Sequence, residues 1–388
     1  MYVYYVVENK RCNDMIPQIE PQFGDEEVEA GIEYLKKMKI GEVWLTEHQM
    51  TRKFEEDIAK YLGVKYCSVV SNGTVAITLA LAAAGIKKGD EILCPDYTFV
   101  ASATAGEMLG AKITLVDIDR ETLCMDFNKM KEAVTKRTKA VILVSMNGRY
   151  PKNIIDFVMF CKEKKILLIE DAAQSLGSKA YGKFLGTYGD IGCFSFSMPK
   201  IISTGQGGAV VTNNTKFYER MKKIRNFGRD GENSDHFVCK GWNFKTTDLQ
   251  SVIGIEQLKK LDARVKRKKE MAALYRQILS EVKSIELIPI SDETAICSMD
   301  MLVKDFSIER SGTSIERDLL IAYLKREGIG ARPFYPPLHK EPYNKNGDFS
   351  VTNEVCDRGL WLPSSLSLTD DQIRFICSKI KEYYERQE

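Results

Sequence analysis

Gly189-Asp-Ile-Gly-Cys-Phe-Ser-Phe-Ser-Met-Pro-Lys200-Ile-Ile-Ser-Thr-Gly-Gln-Gly-Gly208 holds a short apolar run, a turn with a single lysine, and the start of a second run ending at Thr212. The first run, residues 191–196, is aromatic and bounded by Gly and Pro, the pattern of a buried strand rather than a surface helix. Lys200 therefore leaves a sheet beside a core. A lysine beside a core can use its amine to condense with a carbonyl. Most turn lysines are merely solvated, so the neighbours must decide what Lys200 does.

At 388 residues the chain exceeds what one core usually supports, and a large domain with a smaller one is expected. Apolar residues make up 44% and charged ones 28%, as in an ordinary globular protein, and a net charge of +2 gives no reason to expect nucleic acid or an anionic membrane as partner. The ten cysteines form no CxxC pair and stand at no metal-ligand spacing with the three histidines, so they read as free thiols and no metal is expected. The first ten residues lack a basic, then apolar, signal pattern, and no apolar run reaches 18 residues; a cytoplasmic location is expected.

Residues 1–24, with Pro17 and Pro21, read as an arm holding at most one short strand. Val28, Ile32, Leu35 and Met38 recur at helical spacing over 25–39, and a second helix is expected over 52–62, ended by Gly63. Strand then alternates with helix: 66–70 into 74–84, 91–94 into 98–109, 113–117 into 127–134, 140–144 into 154–163, then 166–169. That alternation predicts an α/β fold, a mostly parallel sheet flanked by helices. Ligands of such sheets bind at the carboxyl ends of strands, which selects residues 71–74, 95–99, 147–149, 171–174 and 195–200 together. A long helical stretch is expected over 249–282, with the charged run 266–270 as a solvated face, followed by shorter α+β pieces that include helices over 315–327 and 370–384. The expected division is an arm at 1–24, a large domain at 25–255 and a small C-terminal α+β domain at 256–388.

Residues 71–74, Ser-Asn-Gly-Thr, join a strand to a helix, where free N–H groups and the helix dipole favour an anion; Gly73 permits close approach and Thr74 adds a hydroxyl. Residues 169–174, Ile-Glu-Asp-Ala-Ala-Gln, put carboxylates at the end of an apolar strand. Asp171 could cap the next helix or face a cationic ligand atom. Phe99 begins a helix after another strand and could lie against a planar ring or simply pack in the core.

Together with residues 95–102, the Phe194-Ser-Phe-x-x-x-Lys200 pattern, Thr204-Gly-Gln-Gly-Gly208 and Gly241-Trp-Asn-Phe-Lys245, these motifs resemble the DegT/DnrJ/EryC1/StrS sugar-nucleotide aminotransferases, from about residue 20 onward. The resemblance implies a fold-type-I, pyridoxal 5'-phosphate-dependent homodimer. It makes Lys200 the covalent attachment point and proton carrier, and Asp171 the partner of the pyridine nitrogen. Phe99 would stack on the ring, Gln174 would meet its phenolic oxygen, and Gly73, Thr74 and Ser195 would hold the phosphate. Asn243 would reach the phosphate of the neighbouring subunit's cofactor.

Three segments depart from the family pattern: Ser145-Met-Asn-Gly148 in place of His-Leu-Tyr-Gly, Gln206 in place of Glu, and Glu47-His48 where a Gly is common. None is expected to touch the cofactor residues. Residues 332–339 resemble the family's substrate loop, which makes Arg332 and His339 candidates for the substrate side. The expected reaction moves an amino group from L-glutamate to a nucleotide-linked keto sugar, a 4-keto-6-deoxy sugar, in amino-sugar and surface-polysaccharide biosynthesis. The alternatives are transamination of a smaller phosphorylated ketone, a 3-dehydratase using the same cofactor with His in place of the lysine, and a non-catalytic effector-binding regulator.

Overall fold

Apolar runs four to seven residues long, each closed by a polar turn, build the central sheet: β1 (Tyr66–Val70), β2 (Glu91–Pro95), β3 (Lys112–Val116), β4 (Thr138–Val144) and β5 (Leu167–Asp171). After a small hairpin, β6 (Lys179–Ala180) and β7 (Lys183–Phe184), come β8 (Ile191–Ser195) and β9 (Gly208–Thr212). The computed structural model describes residues 15–231, 234–304, 315–342 and 347–386. Most of the expected arm, residues 1–14, lies outside them.

The seven strands order as β1-β9-β8-β5-β4-β2-β3. Only β9 runs against the rest, pairing antiparallel with both β1 and β8. The carboxyl ends of β1, β2, β4, β5 and β8 therefore share one edge, and the chemistry-bearing turns gather there. Both faces are covered. Ala140, Ile142 and Val144 of β4 pack in the cluster of α3 (Gly73–Ala84), while Val141 and Leu143 point to the cluster of α6 (Ile154–Lys164). That period-two alternation inside an all-apolar strand is what a doubly covered sheet requires.

The helices follow the expected positions with local shifts. α1 (Asp25–Lys39) and α2 (Gln49–Leu62) come first, and Gly63 ends α2 in the left-handed region at φ 68°. In α1 the stripe Val28, Ile32 and Leu35 is exposed, and the buried residues are Glu27 and Tyr34. The helix after β2 is shorter than expected, α4 (Ala101–Glu107), followed by α5 (Phe127–Ala133). An additional helix beyond those expected, α7 (Thr215–Arg225), covers β1 and packs on α3.

The helix expected over 249–282 is two helices, α8 (Asp248–Lys259) and α9 (Leu261–Leu279), meeting at Lys260. Lys260 Nζ is held 2.8 Å from Glu26 and from Glu27 of α1, and the next residue, Leu261, is fully buried; anchoring both at once turns the chain. A boundary after residue 255 falls inside α8. The charged run also departs from expectation: Lys266 is solvated, but Lys268 is buried, its ammonium donating to the carbonyls of Cys297 (2.6 Å) and Ser364.

A second, antiparallel sheet runs β10-β11-β13-β12, from β10 (Ile285–Glu286), β11 (Met299–Val303), β12 (Arg332–Pro333) and β13 (Gly359–Leu362). It packs with α9, α10 (Ile315–Arg326) and α12 (Asp370–Glu385), while α11 (Ser350–Arg358) joins Tyr97, Phe334 and Trp361 in a separate cluster. Ile16 and Gln18 of the arm bond to this second unit through Gly330 and Ser364.

Candidate active site

The turn after β1 works because Asn72 caps α3: its Oδ1 accepts the Val75 N–H at 2.9 Å, leaving earlier amides of the helix open. Gly73 is pressed against β8, and a Cβ there would stand 2.9 Å from Ser195 Cβ. Only glycine lets the helix start this close to Ser195. Ser195 Oγ lies 3.2 Å from Ser197 Oγ, so two hydroxyls and the α3 N-terminus with Thr74 surround one small cradle suited to a dianion.

Asp171 ends β5, nearly buried at 6% exposure. Burial pushes its carboxyl up, while the Ser102 hydroxyl (2.6 Å), the Ala173 N–H (3.1 Å) and the charge of Lys200 pull it back. Ser102 is in turn 2.8 Å from Thr98 Oγ1. Ser102 falls within residues 95–102, where local sequence gives it no role; its tie to Asp171 spans 69 residues and only the sheet brings the two together. Lys200 follows the turn after β8, its N–H donating to Ser197 O at 3.0 Å, and its side chain lines a cavity shared with Arg264, Lys268 and Cys297.

Phe99 is half-exposed, its ring 5.6 Å from that of Tyr335 and tilted by 58°. Arg332 lies over Trp361 (4.5 Å) and Tyr335 (5.4 Å), one ring away from Phe99. His339 is pinned rather than free. Its Nδ1 is 2.6 Å from the buried Asp96, its backbone N–H donates to the same carboxylate at 2.8 Å, and its ring stacks on Phe349. Burial pushes Asp96 up and these bonds pull it down, so His339 serves chiefly to fasten its loop to the end of β2. Asn243 is exposed, and the carbonyl of its neighbour Phe244 accepts the Ser71 N–H at 3.1 Å.

One departure does touch the cofactor set, against expectation. The Asn147 N–H donates to Gln174 Oε1 at 3.0 Å. The other two serve the scaffold: Glu47 pairs with buried Arg225 at 2.8 Å, the His48 N–H donates to Asp248, and Gln206 contributes its carbonyl to Thr204 and Gln250.

Residues 25–381 match the DegT/DnrJ/EryC1/StrS aminotransferase family. The chain belongs to this family. The aminotransferase is 34% identical over 375 residues to a GDP-perosamine synthase of Escherichia coli O157:H7, covering 95% of this chain and 98% of that one. The solved structure of the aminotransferase TlmJ from Streptoalloteichus hindustanus matches with a TM-score of 0.88 at 27% identity, covering 96% of this chain and 100% of that one. A GDP-4-keto-6-deoxy-D-mannose-3-dehydratase of E. coli, solved with bound hydrated pyridoxal phosphate, matches at 0.84 and 26% identity, over 94% and 98% of the two chains.

The fold is thus that of the fold-type-I enzymes, and pyridoxal 5'-phosphate is the cofactor of this aminotransferase family. The residues fit it. The cradle at Gly73 and Ser195 suits the phosphate, Asp171 is a buried carboxylate in want of a cation such as a protonated pyridine nitrogen, and Phe99 offers an open aromatic face.

Proposed function

We propose that the enzyme moves the amino group of L-glutamate to the keto carbon of a nucleotide-linked 4-keto-6-deoxy sugar, in the cytoplasm, for amino-sugar and surface-polysaccharide biosynthesis. The observation that carries this reading is the buried Asp171 carboxylate, held by the Ser102 hydroxyl and the Ala173 N–H, on the same sheet edge as the cradle at Gly73 and Ser195. Pyridoxal phosphate, when bound, supplies the electron sink for the carbanion formed at the amine-bearing carbon. Lys200 Nζ would carry the proton removed from the amine-bearing carbon of the donor and, with the sugar bound, deliver a proton in the opposite sense. Asp171 would hold the pyridine nitrogen protonated. Ser102 and the Ala173 N–H keep the carboxylate aimed. Phe99 would lie against the ring, and Arg332, held over Trp361, would offer a cation to the sugar nucleotide.

Similarity to a GDP-perosamine synthase makes a guanosine-linked sugar the first substrate to offer. Lys200 favours transfer over the dehydratase reading, for which the family pattern calls for His. Amino-sugar nucleotide and 2-oxoglutarate formed from glutamate and such a sugar support the proposal; no glutamate consumed with any nucleotide-linked keto sugar overturns it. The working unit in this reading is a homodimer, with Asn243 completing the phosphate site of its partner. The exposed apolar residues Val28, Ile32, Leu35, Trp44 and Leu45 support an interface on the α1 side. Among the described residues no helix is long and apolar enough to cross a membrane.

A further inference from the structure

We infer that Asn147 is a positioning residue that fixes which end of the Gln174 amide faces the cofactor, and that β11 of the second sheet holds Asn147 in place. The inference rests on the pyridoxal phosphate site described above. An amide can turn either end toward a ligand, and its orientation is settled by its other partners. Here the partner is a backbone N–H, which only donates. Lying 3.0 Å from Gln174 Oε1, it occupies the oxygen end and leaves the NH2 end free, apart from a long contact of 3.7 Å to Met146 Sδ. Gln174 can therefore only donate to the cofactor. A donor aimed at the phenolic oxygen stabilises its ionised form.

Asn147 is itself tightly specified. Its backbone sits in the left-handed region at φ 51° and ψ 33°, a conformation that asparagine tolerates better than most residues. Its side chain closes a ring of bonds to the strand start: Nδ2 donates to Ser298 O (2.8 Å) and Asp300 Oδ2 (2.6 Å), and Oδ1 accepts the Ser298 N–H (2.9 Å). Asp300 is clamped by two bonds from Arg149, at 2.5 and 2.7 Å, and Arg149 Nε reaches Pro289 O at 2.9 Å. All three side chains are almost fully buried, so the arrangement has one geometry rather than several. Cys297, next in sequence to Ser298, adds a thiol bond to the Gln174 carbonyl at 3.1 Å. The departure at residues 145–148 thus carries a side chain long enough to reach the second sheet and a backbone shape that presents an N–H to Gln174.

The test compares Asn147→Gly, which can still adopt the left-handed backbone but loses the side-chain ties that hold its N–H against Gln174 Oε1, with Gln174→Ala and with both changes together. The readouts are the pyridoxal phosphate dissociation constant and the pH midpoint of the bound cofactor's visible absorbance. Asn147→Gly should weaken cofactor binding about tenfold and move the midpoint up, as Gln174→Ala does, because the donor no longer favours the ionised oxygen. In the Gln174→Ala background it should add nothing, the mark of two residues acting as one. Additive effects, or a midpoint that stays at the wild-type value in Asn147→Gly, overturn the inference. Gln174→Glu keeps every Asn147 tie and still accepts its N–H, so it provides a second variant if Asn147→Gly does not fold; a midpoint unmoved by Gln174→Glu also overturns it. Wild-type protein that binds no pyridoxal phosphate would instead refute the cofactor reading underneath.

Discussion

At the scale of single residues, Asp171 shows how function and stability pull apart. Burial pushes its carboxyl above the ordinary range, with Ser102, Ala173 and Lys200 only partly offsetting the cost. A carboxyl raised in the folded state holds its proton when the unfolded chain has lost it, so stability falls as pH rises through that window. Without cofactor, Asp171→Asn should therefore be at least as stable as wild type at neutral pH, read as an equal or higher Tm. Its turnover should drop on the order of 10²–10³-fold, because a neutral amide cannot hold a pyridinium charge. Among the described residues no helix directly follows β5 for Asp171 to cap, so an unchanged rate would leave it as an acceptor that fastens Ser102 and the turn at Ala173. The places of Lys200, Asp171 and Gly73 at the ends of strands were legible in sequence because each sits in a short strand-to-turn motif. Ser102 and Asn147 were not, since their partners lie 69 residues away and, for Asn147, on the second sheet at Ser298 and Asp300.

Among the elements, helical and strand periodicity set most boundaries correctly, as in α1 and β1, which match the expected spans. It failed at Lys260, where the apolar spacing continues unbroken but Glu26 and Glu27 seize the lysine, and at Lys268, whose neighbours 266 and 267 disguise it as surface. Among the described residues Lys268 has carbonyl partners only, and burial pushes its amine down to about 8. A lysine lowered in the folded state sheds its proton before the unfolded chain does, so above pH 8 the unfolded chain binds more protons and stability rises. The slope from this group should be about 1.4 kcal/mol per pH unit between about 8 and 10. Chemical unfolding of wild type and Lys268→Met across that range checks it: the difference between the two should grow in favour of wild type as pH rises. Parallel curves would place the charge of Lys268 in solvent.

For the whole molecule, alternation of strand and helix was enough to foresee a mostly parallel sheet, but not the reversed β9, because pairing direction depends on partners that periodicity does not name. The assembly depends on surfaces in the same way. If Asn243 serves the partner's site, a mixture of Lys200→Ala and Asn243→Ala subunits forms hybrids with both lesions in one site and the other intact. Half of randomly exchanged dimers are hybrids with one good site of two, so roughly a quarter of wild-type activity should return. No recovery after verified exchange would mean that Asn243 acts within its own chain, near the Phe244 contact with Ser71. The most direct measurement follows the amino nitrogen itself. Glutamate carrying heavy nitrogen is incubated with the enzyme, pyridoxal phosphate and a guanosine-linked 4-keto-6-deoxy sugar, and the sugar nucleotide is weighed by mass spectrometry. The label should appear in the sugar, matched by 2-oxoglutarate, and be lost in Lys200→Ala; a sugar that has shed water without gaining label, or labelling that persists in Lys200→Ala, would contradict the assignment.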